Sequence, residues 1–260
     1  MKASRRSTSS ESKMQITEAV ILMAGSGSRL RGTSGDLLKP LIPLLGHPLI
    51  SYTLDALIAA GIDTITAVIG YAGDRLSAAM KSLAPAGLRL QFVENAEWNK
   101  PNGISLLGAA NHVQGPFFLT MGDHIFAPEL VEFLISRADL EALNLAVDRK
   151  ITAIFDIEDA MKVQVRGNRV TAIGKQLPTY DAIDTGLFVC PLQIFDYIRK
   201  IKDTSSCSLA DAVQLMAADN KVRAHDIGAG WWHDVDTPEM LSHAENDLRS
   251  RFRSTGAATL

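Results

Sequence analysis

The chain has 260 residues, 47% of them hydrophobic and 21% charged, with a formal net charge of −3. These values suit a soluble globular protein with a sizeable core and exclude the basic surface that a nucleic-acid binder requires. No apolar run approaches the ~20 residues of a transmembrane helix, and two cysteines, Cys190 and Cys207, form no disulfide framework and fit a reducing, cytoplasmic compartment.

Residues 1–16 (MKASRRSTSSESKMQI) are polar and serine-rich without an apolar signal-peptide core, and predict a disordered tail. Residues 17–250 alternate strand and helix signals with no repeat or dividing linker, which predicts one domain before a flexible tail at 251–260. The apolar run Ala19–Met23, cut off by glycine, predicts a buried strand. It delivers Met23-Ala24-Gly25-Ser26-Gly27-Ser28-Arg29, with Lys39-Pro40 ten residues beyond Arg29. Small residues let backbone N–H groups approach a phosphate, and two cations flank the loop, so this stretch is suited to holding a polyphosphate. It is neither a P-loop nor a dinucleotide fingerprint: no Gly-x-x-x-x-Gly-Lys occurs, and Gly32 falls too late to be the third glycine.

Pro48–Ala60 carries apolar residues at helical spacing and stops at Gly61. Strands are predicted at Thr64–Ile69 and Leu88–Val93, with a helix at Asp74–Leu83 between them. Asn102-Gly103, within NAEWNKPNGISLL, reads as a turn on its own. Phe117–Met121 predicts a buried strand ending in Gly122-Asp123-His124. A carboxylate at such a strand end caps the strand or ligates a hard cation such as Mg²⁺, while His124 reads as structural, with substrate contact the alternative. A helix at Ala127–Arg137 and a strand at Leu143–Asp148 follow, the latter again ending in a carboxylate. Met161–Gly174 alternates about Gly167-Asn168 and predicts an antiparallel hairpin, with Lys175 directly after it. Asp181–Cys190 predicts a strand entered through a polar lip, Asp184-Thr185-Gly186. Pro191–Ile201 and Ser208–Ala218 predict helices and Lys221–Ile227 a strand. Trp231-Trp232-His233-Asp234-Val235-Asp236 leads to a last helix with Thr237 as N-cap and Pro238 at N1.

The sum is an α/β, Rossmann-like fold: a mostly parallel mixed sheet flanked by helices, with an antiparallel hairpin insertion at the acceptor site. Ligands of such sheets lie at the C-terminal strand ends, where the glycine loop sits.

The loop, Arg29 and Lys39-Pro40 together resemble the signature of nucleotidyltransferases that join a nucleoside triphosphate to a sugar phosphate or alcohol phosphate. The resemblance implies a nucleotide site of Met23, Ala24, Gly25, Ser26, Gly27, Asn102 and Ser105, with Arg29 and Lys39 in the catalytic role. It also implies Mg²⁺ held by Asp123 and by Asp234 of the Trp-x-Asp segment, with Asp236 as competitor for the second place. Val-Asp-Arg at 147–149, Ile-Glu-Asp-Ala-Met-Lys-Val at 157–163, Ile-Gly-Lys at 173–175 and Asp-Thr-Gly-Leu-Phe at 184–188 look like the CTP:inositol-1-phosphate cytidylyltransferases. Over residues 18–245 that likeness implies CTP and inositol 1-phosphate as substrates, with Lys175, Asp148, Thr185 and Gly186 on the acceptor. That family is often fused to a membrane-embedded CDP-alcohol transferase, so either the next enzyme of the phospholipid route is expected on a separate protein or the product has another use. Phosphocholine, an aminophosphonate or a hexose 1-phosphate stay open as acceptors: Trp231 and Trp232 for an aromatic cage, Asp148, Asp181 or Asp184 for an amine. A non-catalytic nucleotide-sensing module is the other class.

Overall fold

The computed structural model describes residues 15–30, 37–203 and 207–255. Its strands, in chain order, are β1 (Glu18–Leu22), β2 (Pro43–Leu44), β3 (His47–Pro48), β4 (Thr64–Ile69), β5 (Arg89–Glu94), β6 (Phe117–Met121) and β7 (His124–Phe126). Then come β8 (Leu143–Asp148), β9 (Lys162–Arg166), β10 (Arg169–Gly174), β11 (Ala182–Cys190), β12 (Val222–Asp226) and β13 (Trp232–Asp234). Nine of them form one mixed sheet in the order β5-β4-β1-β6-β11-β8-β12-β10-β9. The β5-β4-β1-β6 half is parallel, and so is β8-β12. β11 runs antiparallel between β6 and β8, so the start of β11 lies beside the C-terminal end of β8.

Strand alternation sorts the core. On one face Val20 and Leu22 join Phe117, Leu119, Phe188 and the helices Asn102–Gly108, Ile194–Ile201 and Leu209–Ala218. On the other, Ala19, Ile21 and Met23 meet Leu54, Leu57, Leu76, Met80, Leu130 and Leu134 from the helices Leu49–Ala59, Gly73–Leu83 and Glu129–Arg137. Each such fully buried aliphatic or aromatic side chain contributes roughly 1.5–3 kcal/mol. A third cluster ties Leu30, Ile42 and Leu44 to Val235, Ala244 and Leu248, and so anchors the last helix, Pro238–Thr255, against the β2–β3 turn. No described helix is long and apolar enough to cross a membrane.

The expected elements are present with small boundary shifts. The helix expected from Pro191 starts at Ile194, because Pro191–Gln193 first make a turn closed by Ile194 N–H to the Pro191 carbonyl. The 208–218 helix is fixed by a capping box in which Ser208 and Asp211 satisfy each other's backbone N–H groups. Thr237 Oγ1 accepts from Met240 N–H at the start of the last helix, as expected of an N-cap. The ordered domain is wider than 17–250: Ile16 is buried in the core, and the last helix continues to Thr255. Residues 1–14 and 256–260 of the expected tails lie outside the described residues. The β9–β10 hairpin forms about Gly167 as expected, but it is built into the main sheet. β10 pairs with β12, and β9 curls back onto Ala182 and Ile183 of β11.

Candidate active site

Two cavities open at the C-terminal ends of the parallel strands. The smaller, about 240 Å³, is walled by Met23, Ala24, Gly25, Lys39, Trp98, Lys100, Asn102, Ser105, Gly122 and Asp123. The larger, about 720 Å³, is lined by residues that include Arg29, Asp148, Lys175, Asp184, Gly186, Trp232, Asp234 and Asp236. They share a wall made of Asn102, Met121 and Asp123.

The β1 loop is shaped by Lys39. Gly27 has φ +60°, and a Cβ there would stand 2.6 Å from Lys39 Cβ, so glycine is required both for the turn and for the close approach of the lysine stem. Lys39 leads the short turn Lys39–Leu41 and is 9% exposed. Its Nζ donates to Asp123 Oδ2 at 2.7 Å and to Asp236 Oδ1. Burial pulls the lysine pKa down, but Asp123, Asp234 and Asp236 more than reverse this, so Lys39 is firmly charged. Arg29 lines the larger cavity rather than the smaller one, bonding Asp236 Oδ2 at 2.6 Å and Asp159 Oδ2 at 3.1 Å. Asp159 in turn accepts from Lys175. A chain of alternating charges thus runs Lys175–Asp159–Arg29–Asp236–Lys39–Asp123, from one cavity to the other.

Asp123, His124 and Asp234 bring one ligand atom each to within 4.8 Å of one another. His124 Nδ1 donates to Asp123 Oδ1 at 2.7 Å. Burial lowers the histidine pKa, but Asp234 and Asp123 outweigh it and lift it to about 9. His124 is therefore a cation near neutral pH, lying over the Trp232 ring at 6.1 Å. For Asp123 burial raises the pKa, and Lys39 and His124 overcome this and hold it far below the usual carboxylate range. Asp234 is raised by burial, and its Oδ1 is buried without a hydrogen-bond partner. An orphaned carboxylate oxygen beside a second carboxylate is a donor set that fits a hard divalent cation. Asp236 spends one oxygen on Lys39 and the other on Arg29.

The family model of the MobA-like NTP transferase domain matches residues 19–152. The chain belongs to that family. A "Bifunctional IPC transferase and DIPP synthase" of Archaeoglobus fulgidus is 33% identical over 238 residues, 92% of this chain and 45% of the relative. The Rubrobacter xylanophilus protein of the same name is 33% identical over 229 residues, 87% of this chain and 51% of the relative. The chain spans about half the length of these curated relatives. Among solved structures, the inositol-1-phosphate CTP transferase from T. maritima is 28% identical with a TM-score of 0.81, covering 90% of this chain and 95% of that one.

Within this NTP transferase domain, most of the expected residues converge. Met23, Ala24, Gly25, Asn102 and Ser105 wall the small cavity, whereas Ser26 and Gly27 do not line it. Asn102 Oδ1 already accepts from Leu209 N–H, and Ser105 Oγ from Asn95 Nδ2, which holds both at the cavity wall. Thr185 departs from expectation: it is fully buried and its hydroxyl donates to the Ala146 carbonyl, so it turns away from the cavity. Asp148 lines the cavity, but Oδ1 takes Lys150 N–H and Nζ, and Oδ2 takes Trp232 Nε1–H. Gly186, at φ +74°, lies where a Cβ would meet the His124 ring at 2.4 Å. The two tryptophans form no cage, for Trp232 is tied to Asp148 while the Arg251 guanidinium covers Trp231. Asp159 was not foreseen, since it sits in a turn-rich segment without periodicity. His124, expected as structural, belongs to the carboxylate cluster.

Proposed function

We propose that this domain transfers a cytidylyl group from CTP to inositol 1-phosphate, giving CDP-inositol and pyrophosphate. The observation that carries the reading is the pair of cavities meeting at Asp123, each with a lysine on its wall, Lys39 and Lys175. The choice of substrates is supported by the likeness to the inositol-1-phosphate CTP transferase from T. maritima across nearly its whole length. CTP occupies the small cavity, with its phosphates on the Met23–Gly27 backbone and its base against Asn102 and Ser105. The acceptor occupies the large cavity with its phosphate on Lys175.

Chemistry follows from charge. The acceptor is a phosphate monoester with a second pKa of about 6, so it is a competent nucleophile near neutral pH without a general base. One of its oxygens attacks the α-phosphorus, forming a new P–O bond. The bond to the β-phosphate breaks in line, and its electron pair leaves with pyrophosphate. The protein's part is positioning and charge neutralisation. Lys39 and Arg29 exchange carboxylate partners for phosphate oxygens, and protonated His124 keeps the carboxylate cluster from repelling them. Asp123 and Asp234 would hold a divalent cation, Mg²⁺, which offsets charge on the triphosphate when bound.

The test is pyrophosphate release with CTP, UTP, ATP and GTP crossed against inositol 1-phosphate, phosphocholine, 2-aminoethylphosphonate and glucose 1-phosphate. Maximal release with CTP and inositol 1-phosphate is expected. A higher kcat/KM for another pair would replace the substrates, and no release from any pair in Mg²⁺ would overturn the reading.

A further inference from the structure

Three carboxylates flank the acceptor side, and they differ in what they have left to offer. Both Asp148 oxygens are committed to Lys150 and Trp232. Asp181 accepts from Val165 N–H and lies 3.5 Å from Arg149. Asp184 lines the large cavity and spends only Oδ1, on Gly186 N–H at 2.7 Å. Among the described residues its other oxygen takes no hydrogen bond and no lysine or arginine pairs with it; the charge that bears on it is His124, which draws its pKa down. A partly buried carboxylate facing a cavity with an oxygen to spare offers an acceptor to a hydroxyl donor in that cavity.

The sheet register fixes where Asp184 stands relative to Lys175. Gly174 of β10 pairs with Lys162 of β9, and Lys162 pairs with Ile183 of β11. β10 and β11 run the same way, so one step further Lys175 and Asp184 flank Met161 in a single row; Asp184 N–H bonds the Met161 carbonyl at 2.9 Å. Their backbones are two strand spacings apart, roughly 10 Å. Side chains standing on the same face of the sheet across that gap leave room between their heads for a six-membered ring that carries a phosphate at one end and a hydroxyl at the other. The irregularity in β11 between Asp184 and Phe188, with Gly186 against His124, aims the carboxylate into the cavity.

We propose that Asp184 reads the ring hydroxyls of the acceptor, its free oxygen accepting from a polyol whose phosphate rests on Lys175. This rests on the polyol phosphate reading of the preceding section. It makes Asp184, and not Asp148 or Thr185, the side chain that separates a polyol phosphate from an acceptor without hydroxyl donors.

The experiment is steady-state kinetics of the full chain with CTP and Mg²⁺, varying inositol 1-phosphate or cyclohexyl phosphate, which keeps ring and phosphate but lacks the other hydroxyls. Wild type, Asp184→Ala and Asp184→Asn are compared. Losing hydrogen bonds to a charged group is expected to lower kcat/KM for inositol 1-phosphate by about 10- to 150-fold in Asp184→Ala, mostly through KM. Cyclohexyl phosphate turnover and CTP affinity should be unchanged. Asp184→Asn can still accept from Gly186 N–H, so it preserves the turn, and its N–H groups can donate to a ring hydroxyl; it is expected to lose less than Asp184→Ala toward the polyol and nothing toward cyclohexyl phosphate. Equal losses for both acceptors, or full activity of Asp184→Ala toward inositol 1-phosphate, would make Asp184 a structural residue and overturn the proposal. So would a wild type that prefers 2-aminoethyl phosphate and loses that preference in Asp184→Ala, since the carboxylate would then read an ammonium. If wild type ignores inositol 1-phosphate but uses glucose 1-phosphate, and Asp184→Ala loses it selectively, the acceptor named above is wrong and Asp184 stands.

Discussion

The small cavity takes most of its wall from a few contiguous stretches, residues 22–25, 39–40 and 121–123, built on neighbouring parallel strands. The large cavity draws on the end of β8, the segment after it, Lys175, the irregular start of β11, β13 and the last helix. The first is mainly loop backbone around a buried lysine; the second mixes apolar side chains such as Met161, Ile173 and Phe188 with charged ones, several of them paired with one another. On the proposed reading, the nucleotide side depends on loop geometry and on freeing Lys39 from its carboxylates, while the acceptor side depends on freeing Lys175 from Asp159. Changes on the two sides should therefore have different kinetic signatures.

The largest effect is expected on the nucleotide side. Lys39→Ala removes a preorganised charge, which typically costs ~2.7–4 kcal/mol in the transition state, or a 10²–10³-fold loss in kcat. Because Lys39 is buried between Asp123 and Asp236, the variant should also lose about 3 kcal/mol of stability. Mg²⁺ should restore part of the melting temperature, because a cation can again neutralise the carboxylates. Near-normal turnover would break the assignment. Arg29→Ala should lose activity by a similar factor with a smaller change in melting temperature, since Arg29 is 56% exposed.

Next in size are the carboxylates at the shared wall. Asp123→Asn and Asp234→Asn should each raise the Mg²⁺ concentration for half-maximal rate by tenfold or more, because the amide keeps the shape and loses the charge a divalent ion needs. Asp236→Asn should lower kcat with little change in that Mg²⁺ requirement, since both its oxygens serve Lys39 and Arg29. The opposite pattern would exchange the roles of Asp234 and Asp236.

On the acceptor side Lys175→Ala should raise the KM for inositol 1-phosphate while calorimetric CTP–Mg²⁺ affinity stays unchanged. Weakened CTP binding with an unaltered acceptor KM would put Lys175 in the nucleotide site instead. Asp159→Asn should do the reverse on a smaller scale, lowering the acceptor KM a few-fold, because it releases Lys175 and Arg29 from an exposed ion pair worth about 0–1 kcal/mol. A raised KM would show that Asp159 positions those cations.

The last effect is on stability rather than rate, as a pH dependence. Burial pushes Asp184 up to about 6, above its unfolded value near 3.9. Between those two values the folded chain binds more protons than the unfolded one, so this group's contribution to stability falls as pH rises from about 4 to 6 and is then flat. Asp184→Asn removes that slope. Its melting temperature relative to wild type should therefore rise across that window, and a parallel pair of curves would contradict the burial of the carboxylate.

Legibility followed the same division. The β1 loop, Lys39 and Asp123 were readable because a buried strand cut off by small residues is a local pattern, and the chemistry sits within a few residues of it. Helix starts at Ser208 and Thr237 were readable for the same reason: caps are local. The acceptor wall was not. Whether Thr185 faces the cavity or the Ala146 carbonyl depends on an irregularity in β11 that only its pairing with β8 reveals. Asp148 and Asp184 both end or begin strands in sequence. The neighbours that satisfy one and spare the other, Lys150, Trp232 and Gly186, include one more than 80 positions away. The hairpin at Gly167-Asn168 was legible as a hairpin, yet its curl onto β11 required knowledge of the sheet order.

The central claim is that an oxygen of the acceptor's phosphate attacks the α-phosphorus across the shared wall at Asp123. It is tested most directly by supplying inositol 1-phosphate fully labelled with ¹⁸O in its non-bridging phosphate oxygens, together with unlabelled CTP and Mg²⁺, and reading the products by mass spectrometry. The expected result is CDP-inositol retaining all of the label and pyrophosphate carrying none. Labelled pyrophosphate, label lost from the product as orthophosphate, or no CDP-inositol at all would contradict it.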